Sequence, residues 1–299
     1  MAAEQVDQIM NKMAGTTGAG GNTTAETENG LGKLFFCDAK NQSQMNDFVK
    51  ATRPKLVALM GFEGYGKSTF IGSLYQLLIQ NEVYQGYTFV DSETYVGFER
   101  RVFLRRVNKD NVSDTKRNVL GDNDILDLQL RSDRGVIHRV LVSDKAGETY
   151  RQYISSDEEA GKDIVLSNAD IVLFFVDAEA DSQKLAEHNL IMEKYESVLT
   201  RLVKQQKIGS ETEYYMVFTK IDKVVGEDRR MKLVDRKNKI CGKFAELIGS
   251  DPLAVYEVNS HDIDDASLNT VFGQIIAPRN KTSFQPELDW VKMEIEKNL

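Results

Sequence analysis

Nine residues carry the clearest chemistry: Gly61-Phe62-Glu63-Gly64-Tyr65-Gly66-Lys67-Ser68-Thr69. They fit G-x-x-x-x-G-K-[ST], the pattern of a phosphate-binding loop. Glycines at 61, 64 and 66 let the backbone turn its N–H groups inward around an anion. Lys67 is placed to reach β and γ phosphates, and the Ser68 hydroxyl to ligate Mg²⁺. The flanks have the required form. Lys55–Met60 is an apolar run that reads as a buried strand. Phe70, Ile71, Leu74, Leu77 and Leu78 follow at helical spacing. A helix starting at the loop turns its partial positive charge toward the same anion.

Two further clusters follow strand-like runs. Asp144-Lys145-Ala146-Gly147-Glu148 comes after Leu141-Val142, about 80 residues past the loop. Asp144 at a strand end suits a Mg²⁺ shell held through water, and the Gly147 N–H suits a γ-phosphate. Thr219-Lys220-Ile221-Asp222 comes after Tyr214–Phe218. An aspartate there can accept hydrogen bonds from guanine N1–H and the N2 amine, which adenine lacks in that position. The Lys220 stem can lie over base and ribose. Farther on, Asn259-Ser260-His261 follows another apolar run. A backbone N–H of Ser260 or His261 suits guanine O6, while a capping turn before the next helix explains the same residues.

Elements of two periods must position these clusters. Val136–Val142 pairs with the run from Ile125 as a hairpin, turning at Ser132–Gly135. Ile171–Val176 is apolar on both faces. Helices are expected over 181–206, 227–248 and 265–276, the first through Leu185, Leu190, Met192, Tyr195, Leu199, Leu202 and Val203. Residues 87–90 suggest a short strand. Residues 93–107, with Val96, Phe103 and Val107 near one face, are read as helix, with strand as the alternative. Residues 109–124 read as a loop, and 148–166 as helical in part. Short helices are expected at 4–13 and 43–51. The alternation predicts an α/β three-layer sandwich, a mostly parallel sheet with one antiparallel hairpin strand and helices on both faces. Residues 1–33, rich in Gly and Thr from 14, read as a flexible extension. Residues 280–299 read as a helical tail. A formal net charge of −8 argues against a general nucleic-acid or anionic-membrane binder. The longest apolar run is far shorter than a membrane span. Cys37 and Cys241 form no metal pattern, which fits reduced thiols and a cytoplasmic protein.

The ordered set GFEGYGKS, DKAGE, TKID and NSH resembles the GTPase domain of the Ras-like, translation-factor-related P-loop GTPases. Residues 88–101 further resemble a bacterial branch, the double-GTPase proteins, associated with conflict and defence systems and often paired. The resemblance implies one GTPase domain over 34–279 with an extended first switch region at 81–124. It implies GTP/GDP and Mg²⁺ as ligands and a protein effector or partner GTPase. Gly64, Gly66, Lys67, Ser68 and Thr69 would bind phosphates and metal, with Glu63 beside them. Gly147 would sense the γ-phosphate, and Thr219, Lys220 and Asp222 would bind guanine, assisted by Ser260 and His261. Thr219 stands where Asn is commoner. Glu148 stands where many members carry a water-orienting Gln. A carboxylate there can act as a base but also repels the γ-phosphate, which implies slow hydrolysis. Thr115 is the first choice for the switch residue on Mg²⁺, with Thr88 and Thr94 as alternatives. Arg100, Arg101, Arg105 and Arg106 read as a solvated helix face or as a source of an arginine supplied in cis. Two other functions fit less of the pattern: a GTP-binding assembly module without turnover, and an ATPase.

Overall fold

Three strands with no polar face form the middle of the sheet: β1 (Lys55–Met60), β5 (Ile171–Asp177) and β6 (Tyr214–Thr219), buried at every position. Strands buried on both sides need a layer of helices on each. A computed structural model of the chain describes residues 39–41, 54–107 and 125–279, with the side chains of 103–107 outside that set. The other strands are β2 (Tyr87–Asp91), β3 (Ile125–Ser132), β4 (Ile137–Ser143) and β7 (Ala254–Glu257). The seven-stranded sheet has the order β2-β3-β4-β1-β5-β6-β7. β3 runs antiparallel to both its neighbours, and the pairs from β4 to β7 are parallel. This is the expected P-loop GTPase-like α/β fold.

Among the described residues, the helices of eight residues or more are α1 (Lys67–Gln80), α2 (Tyr95–Val107), α7 (Leu185–Lys204), α8 (Glu227–Ile248) and α9 (Ala266–Ile276). Shorter ones are α3 (Gly147–Tyr153), α4 (Asp157–Gly161), α5 (Ile164–Asn168) and α6 (Ala178–Ser182). Neighbouring side chains of β5 sort them into layers, because successive strand residues face opposite sides. Phe175 meets Phe70 of α1, which in turn meets Phe272 of α9. Phe174 meets Phe244 of α8, which packs on Tyr195 of α7. α2 joins the first layer by stacking Phe98 on Tyr75, centroids 4.7 Å apart. Lys55 Nζ donates to the carbonyls of Gln274 and Ala277, tying β1 to the end of α9.

Two expectations need correcting. Residues 181–206 are not one helix. Arg236 of α8 donates to the carbonyls of Asp181 and Lys184, and Arg229 to that of Glu179. Arg236 and Arg229 take the Asp181 and Glu179 carbonyls of α6 that a continuing helix would use, and the chain breaks at Gln183 and Lys184. His188, paired with Asp181, is then buried, while Leu185 and Leu190 are exposed. In α2 the inward face is Phe98, Arg101 and Val102, not the face of Val96. Arg101 is therefore buried, contrary to a solvated arginine face, while Arg100 is exposed. The elements expected at 4–13, 14–33, 43–51, 109–124 and 280–299, with Thr115 and Cys37, lie outside the described residues. No described helix is long and apolar enough to cross a membrane.

The turn from β2 into α2 rests on Asp127 of β3. The Asp127 N–H donates to Thr94 Oγ1 at 2.8 Å, its Oδ2 accepts from Glu93 N–H at 3.1 Å, and Arg139 Nε lies 3.3 Å from Oδ1. Thr94 is thus engaged in the fold, and Thr88 stands in β2 opposite Arg131. Burial pushes the Asp127 carboxyl up to about 6, although the Glu93 N–H and Arg139 favour the charged form. A folded pKa above the unfolded value makes this carboxyl's contribution largest at low pH and loses it as pH rises through 6. Asp127→Asn removes that titration. In urea denaturation its stability should gain about 2 kcal/mol on wild type between pH 4.5 and pH 7. A difference independent of pH contradicts this account.

Candidate nucleotide site

The phosphate loop leaves β1 and enters α1 through two glycines with left-handed backbone, Gly64 (φ 79°) and Gly66 (φ 84°). α1 starts with no side-chain cap and no acidic residue in its first turn, so its N–H groups face the loop. That end is chemically suited to an anion. Lys67 Nζ donates to the Gly61 carbonyl at 2.5 Å and the Phe62 carbonyl at 3.3 Å. Burial lowers its pKa to about 8, opposed by Asp144, Glu148 and Glu63. The loop itself therefore holds the ammonium over the site.

Neighbouring strand ends fix the loop from three sides. Gly61 lies against β5, where an added Cβ would stand 2.8 Å from that of Phe175. Thr219 at the end of β6 donates its hydroxyl to the Tyr65 carbonyl at 2.9 Å, with Val176 O a longer alternative at 3.3 Å. Beyond β4, a Cβ on Gly147 would fall 2.2 Å from the Glu63 nitrogen and 2.5 Å from the Phe62 carbonyl carbon. Backbone cannot yield as a flexible side chain can, so only glycine fits there. Beside it, Lys145 Nζ donates to Asp163 Oδ2 at 2.7 Å and to the Tyr153 hydroxyl at 3.1 Å, and that hydroxyl donates to Asp163. Burial alone would raise the Asp163 pKa. The Lys145 ammonium and the hydrogen bonds from Leu166 and Tyr153 outweigh it and hold the carboxyl below its usual value.

Ser68 and Asp144 meet beside the loop. Ser68 Oγ donates to Asp144 Oδ2 at 3.0 Å. A hydroxyl and a carboxylate are hard oxygen donors of the kind Mg²⁺ takes alongside phosphate oxygens. Among the described residues no group of three His, Cys, Asp or Glu could hold a metal without such help. Arg101 of α2 reaches the same oxygen, its Nε donating to Asp144 Oδ2 at 2.7 Å.

A second cluster lies past the ends of β6 and β7. Lys220 has a left-handed backbone (φ 58°), a conformation that costs a non-glycine residue about 1–3 kcal/mol. It starts the single turn Ile221–Lys223 that carries Asp222. Its ammonium donates to Asp177 Oδ2 at 2.6 Å, and Asp177 Oδ1 accepts from the Ala180 N–H at the start of α6. Ser260 accepts a hydrogen bond at its carbonyl from Ser73. Its buried Oγ has no partner among the described residues. An unpaired buried hydroxyl is costly, and a ligand can satisfy it.

One cavity of about 350 Å³ joins these parts. It is lined by Glu63, Gly64, Gly66, Lys67, Ser68, Thr69, Gly147, Glu148, Thr219, Lys220, Asp222, Ser260 and His261. Asp144 lies buried behind Ser68. Thr219 borders the cavity, but its hydroxyl serves the loop. Glu63 stands 3.8 Å from Arg151, and Glu148 lies in the first turn of α3. Sequence reasoning missed Lys145, Glu179 and Lys223 on the wall and Asp177 behind it, and it named Arg101 without placing it on Asp144. Asp177 was findable as the polar residue closing an apolar strand. Arg101 shares a face with Phe98 and Val102 at helical spacing.

The fold and the loop define a P-loop nucleotide-binding α/β protein. The Double-GTPase 2 family model matches residues 55–274, and the chain belongs to that family. It is thus a member of a GTPase family, with a guanine nucleotide as the implied ligand. No curated protein matches it significantly. Among solved structures it is similar to the signal recognition particle receptor SRb-GTP/SRX complex from Chaetomium thermophilum, at 15% identity and TM-score 0.44, covering 75% of this chain and 98% of that one. It is similar to elongation factor SelB from Methanococcus maripaludis in complex with the GTP analogue GppNHp, at 14% identity and TM-score 0.39, covering 77% of this chain and 36% of that one. It is also similar to Toc33 from Arabidopsis thaliana, at 10% identity and TM-score 0.38, covering 78% and 86%.

The contact of Gly147 with the loop yields a discriminating expectation. If Gly147 served only a γ-phosphate, Gly147→Ala would weaken GTP alone. Because its Cβ would strike the loop backbone, it should weaken a fluorescent GDP analogue and its GTP counterpart alike, each about tenfold or more, and lower the melting temperature. Loss confined to GTP contradicts the packing account.

Proposed function

We propose that the cavity binds GTP and that the chain is a Mg²⁺-dependent GTP switch with slow hydrolysis. The supporting observation is convergence: the loop, the Asp222 turn and Ser260 border one cavity. Its volume falls within the usual ligand range of about 300–1,000 Å³. The triphosphate lies along residues 63–69, and Asp222 accepts the two guanine donors. The same carboxylate offers adenine nothing, which opposes an ATPase. Bound Mg²⁺ would neutralise charge on the β and γ oxygens. Ser68 and Asp144 would hold it, and Thr115 would be the first-switch ligand of this reading, with Thr94 engaged in the turn before α2.

Lys67 leaves the Gly61 and Phe62 carbonyls for the phosphates and stabilises charge as water attacks in line. The loop N–H groups do the same without reorganising. Glu148 faces the site where an amide would orient water, and its charge opposes the γ-phosphate, so turnover is slow. A second reading, binding without turnover, is favoured by Glu148 and by the Arg101 contact with Asp144. With the family come a partner GTPase or effector, a bacterial conflict setting and a cytoplasmic place, which are carried as part of this proposal.

Single-turnover hydrolysis of γ-labelled GTP separates the two readings. The expected rate is on the order of 10⁻⁴–10⁻² s⁻¹ with Mg²⁺, the range of unassisted members of this chemistry. Lys67→Ala should abolish it. Tight binding with no γ-phosphate release would establish the second reading.

A further inference from the structure

Arg101 stands where no solvated arginine would. Its side chain is buried, and Asp144 beside it is fully buried. Its Nε and the Ser68 hydroxyl converge on one carboxylate oxygen, at 2.7 Å and 3.0 Å. Its Nη1 donates to the Gly97 carbonyl one helical turn back, at 2.7 Å, which fixes the direction of the fork. The helix that carries it is seated closely. A Cβ on Gly97 would lie 2.9 Å from the Ala39 nitrogen and from Leu126 Cδ2, and Phe98 stacks on Tyr75 of α1. The guanidinium is thus delivered by packed secondary structure.

We propose that Arg101 is the resident cation of the Ser68–Asp144 site and that a divalent metal entering with nucleotide must displace it. The inference rests on the nucleotide reading given above. The physical conflict is local. A metal ligated by Ser68 Oγ sits about 2.1 Å from it and needs that oxygen's lone pair and the Asp144 charge. The guanidinium already neutralises that charge, within two hydrogen-bond lengths of the serine oxygen. Two cations so close in a buried place repel strongly. Both cations would draw on the one Asp144 oxygen that Ser68 and Arg101 already share. Metal arrival therefore breaks the Arg101–Asp144 pair and loosens α2 from its seat. Arg101 is a gate on the metal site, and α2 becomes the element that reports metal occupancy. This places the response in residues 95–102, ahead of the expected switch threonine.

The test uses the full chain, a fluorescent GDP analogue and Mg²⁺. Nucleotide release is timed across a Mg²⁺ titration that starts in excess EDTA. The Mg²⁺ concentration giving half the slowing of release should fall about tenfold or more in Arg101→Met, and by less in Arg101→Lys, which keeps a charge without the fork. An unchanged or raised half-point in Arg101→Met overturns the proposal. Loss of the buried partner of Asp144 can unfold Arg101→Met, so a second measurement uses wild type alone. Amide exchange over residues 95–102 should speed up about tenfold when Mg²⁺ is added to the GDP complex. Exchange unchanged or slowed by Mg²⁺ overturns the proposal independently. If wild type fails to bind the analogue in EDTA and in Mg²⁺ alike, the nucleotide reading itself is wrong, and the gate falls with it.

Discussion

Most of the site depends on how the backbone of residues 61–66 is held by parts of the chain far from it in sequence. Gly147 presses on the Phe62–Glu63 peptide, the Thr219 hydroxyl holds the Tyr65 carbonyl, and Gly61 lies against Phe175. Gly147 lies past the end of β4, Thr219 ends β6, and Phe175 lies within β5. A loop that must point its N–H groups inward cannot pair them with one another. Outside contacts therefore set its shape before any anion arrives. That is preorganisation, in which the cost of shaping the site is met during folding. It requires the neighbouring strands to stay in register, which the wholly buried β1, β5 and β6 enforce.

The two ends of the cavity are built differently. At the base end, Lys220, Asp177 and the start of α6 form a chain of short polar contacts on strand ends. At the metal end, Asp144 is shared between Ser68 on α1 and Arg101 on α2. α2 belongs to the segment between β2 and β3, outside the parallel core, and its seat depends on Gly97, Phe98 and the turn held by Asp127. A change in charge at Asp144 therefore acts on an element outside the parallel core.

Much of this was legible in the sequence. Short apolar runs located the central strands, the hairpin pattern located β3 and β4, and the glycine loop located the site. Asp222 and Gly147 were marked by their places just past strand ends. What escaped had physical causes. The break at Gln183 comes from Arg236 and Arg229, which arrive from α8 and take the carbonyls of α6. Local periodicity carries no sign of such distant donors, so Leu185 and Leu190 looked like core. Arg101 was misjudged because charge suggests solvent, and only the placement of Asp144 makes its burial favourable. Thr219 was assigned to the base, yet its hydroxyl points to the loop. Gly147 was marked for a phosphate, while the protein's own backbone already forbids a side chain there.

The central claim is that Asp222 and Ser260 make the base end of the cavity a guanine site. Competition of unlabelled GTP and ATP against a bound fluorescent GDP analogue, at fixed salt and Mg²⁺, tests it most directly. A site built to hydrogen-bond guanine should prefer GTP by about tenfold or more, since ATP would leave the exposed Asp222 carboxylate without its two donors. Equal displacement by the two, or tighter binding of ATP, would contradict the account.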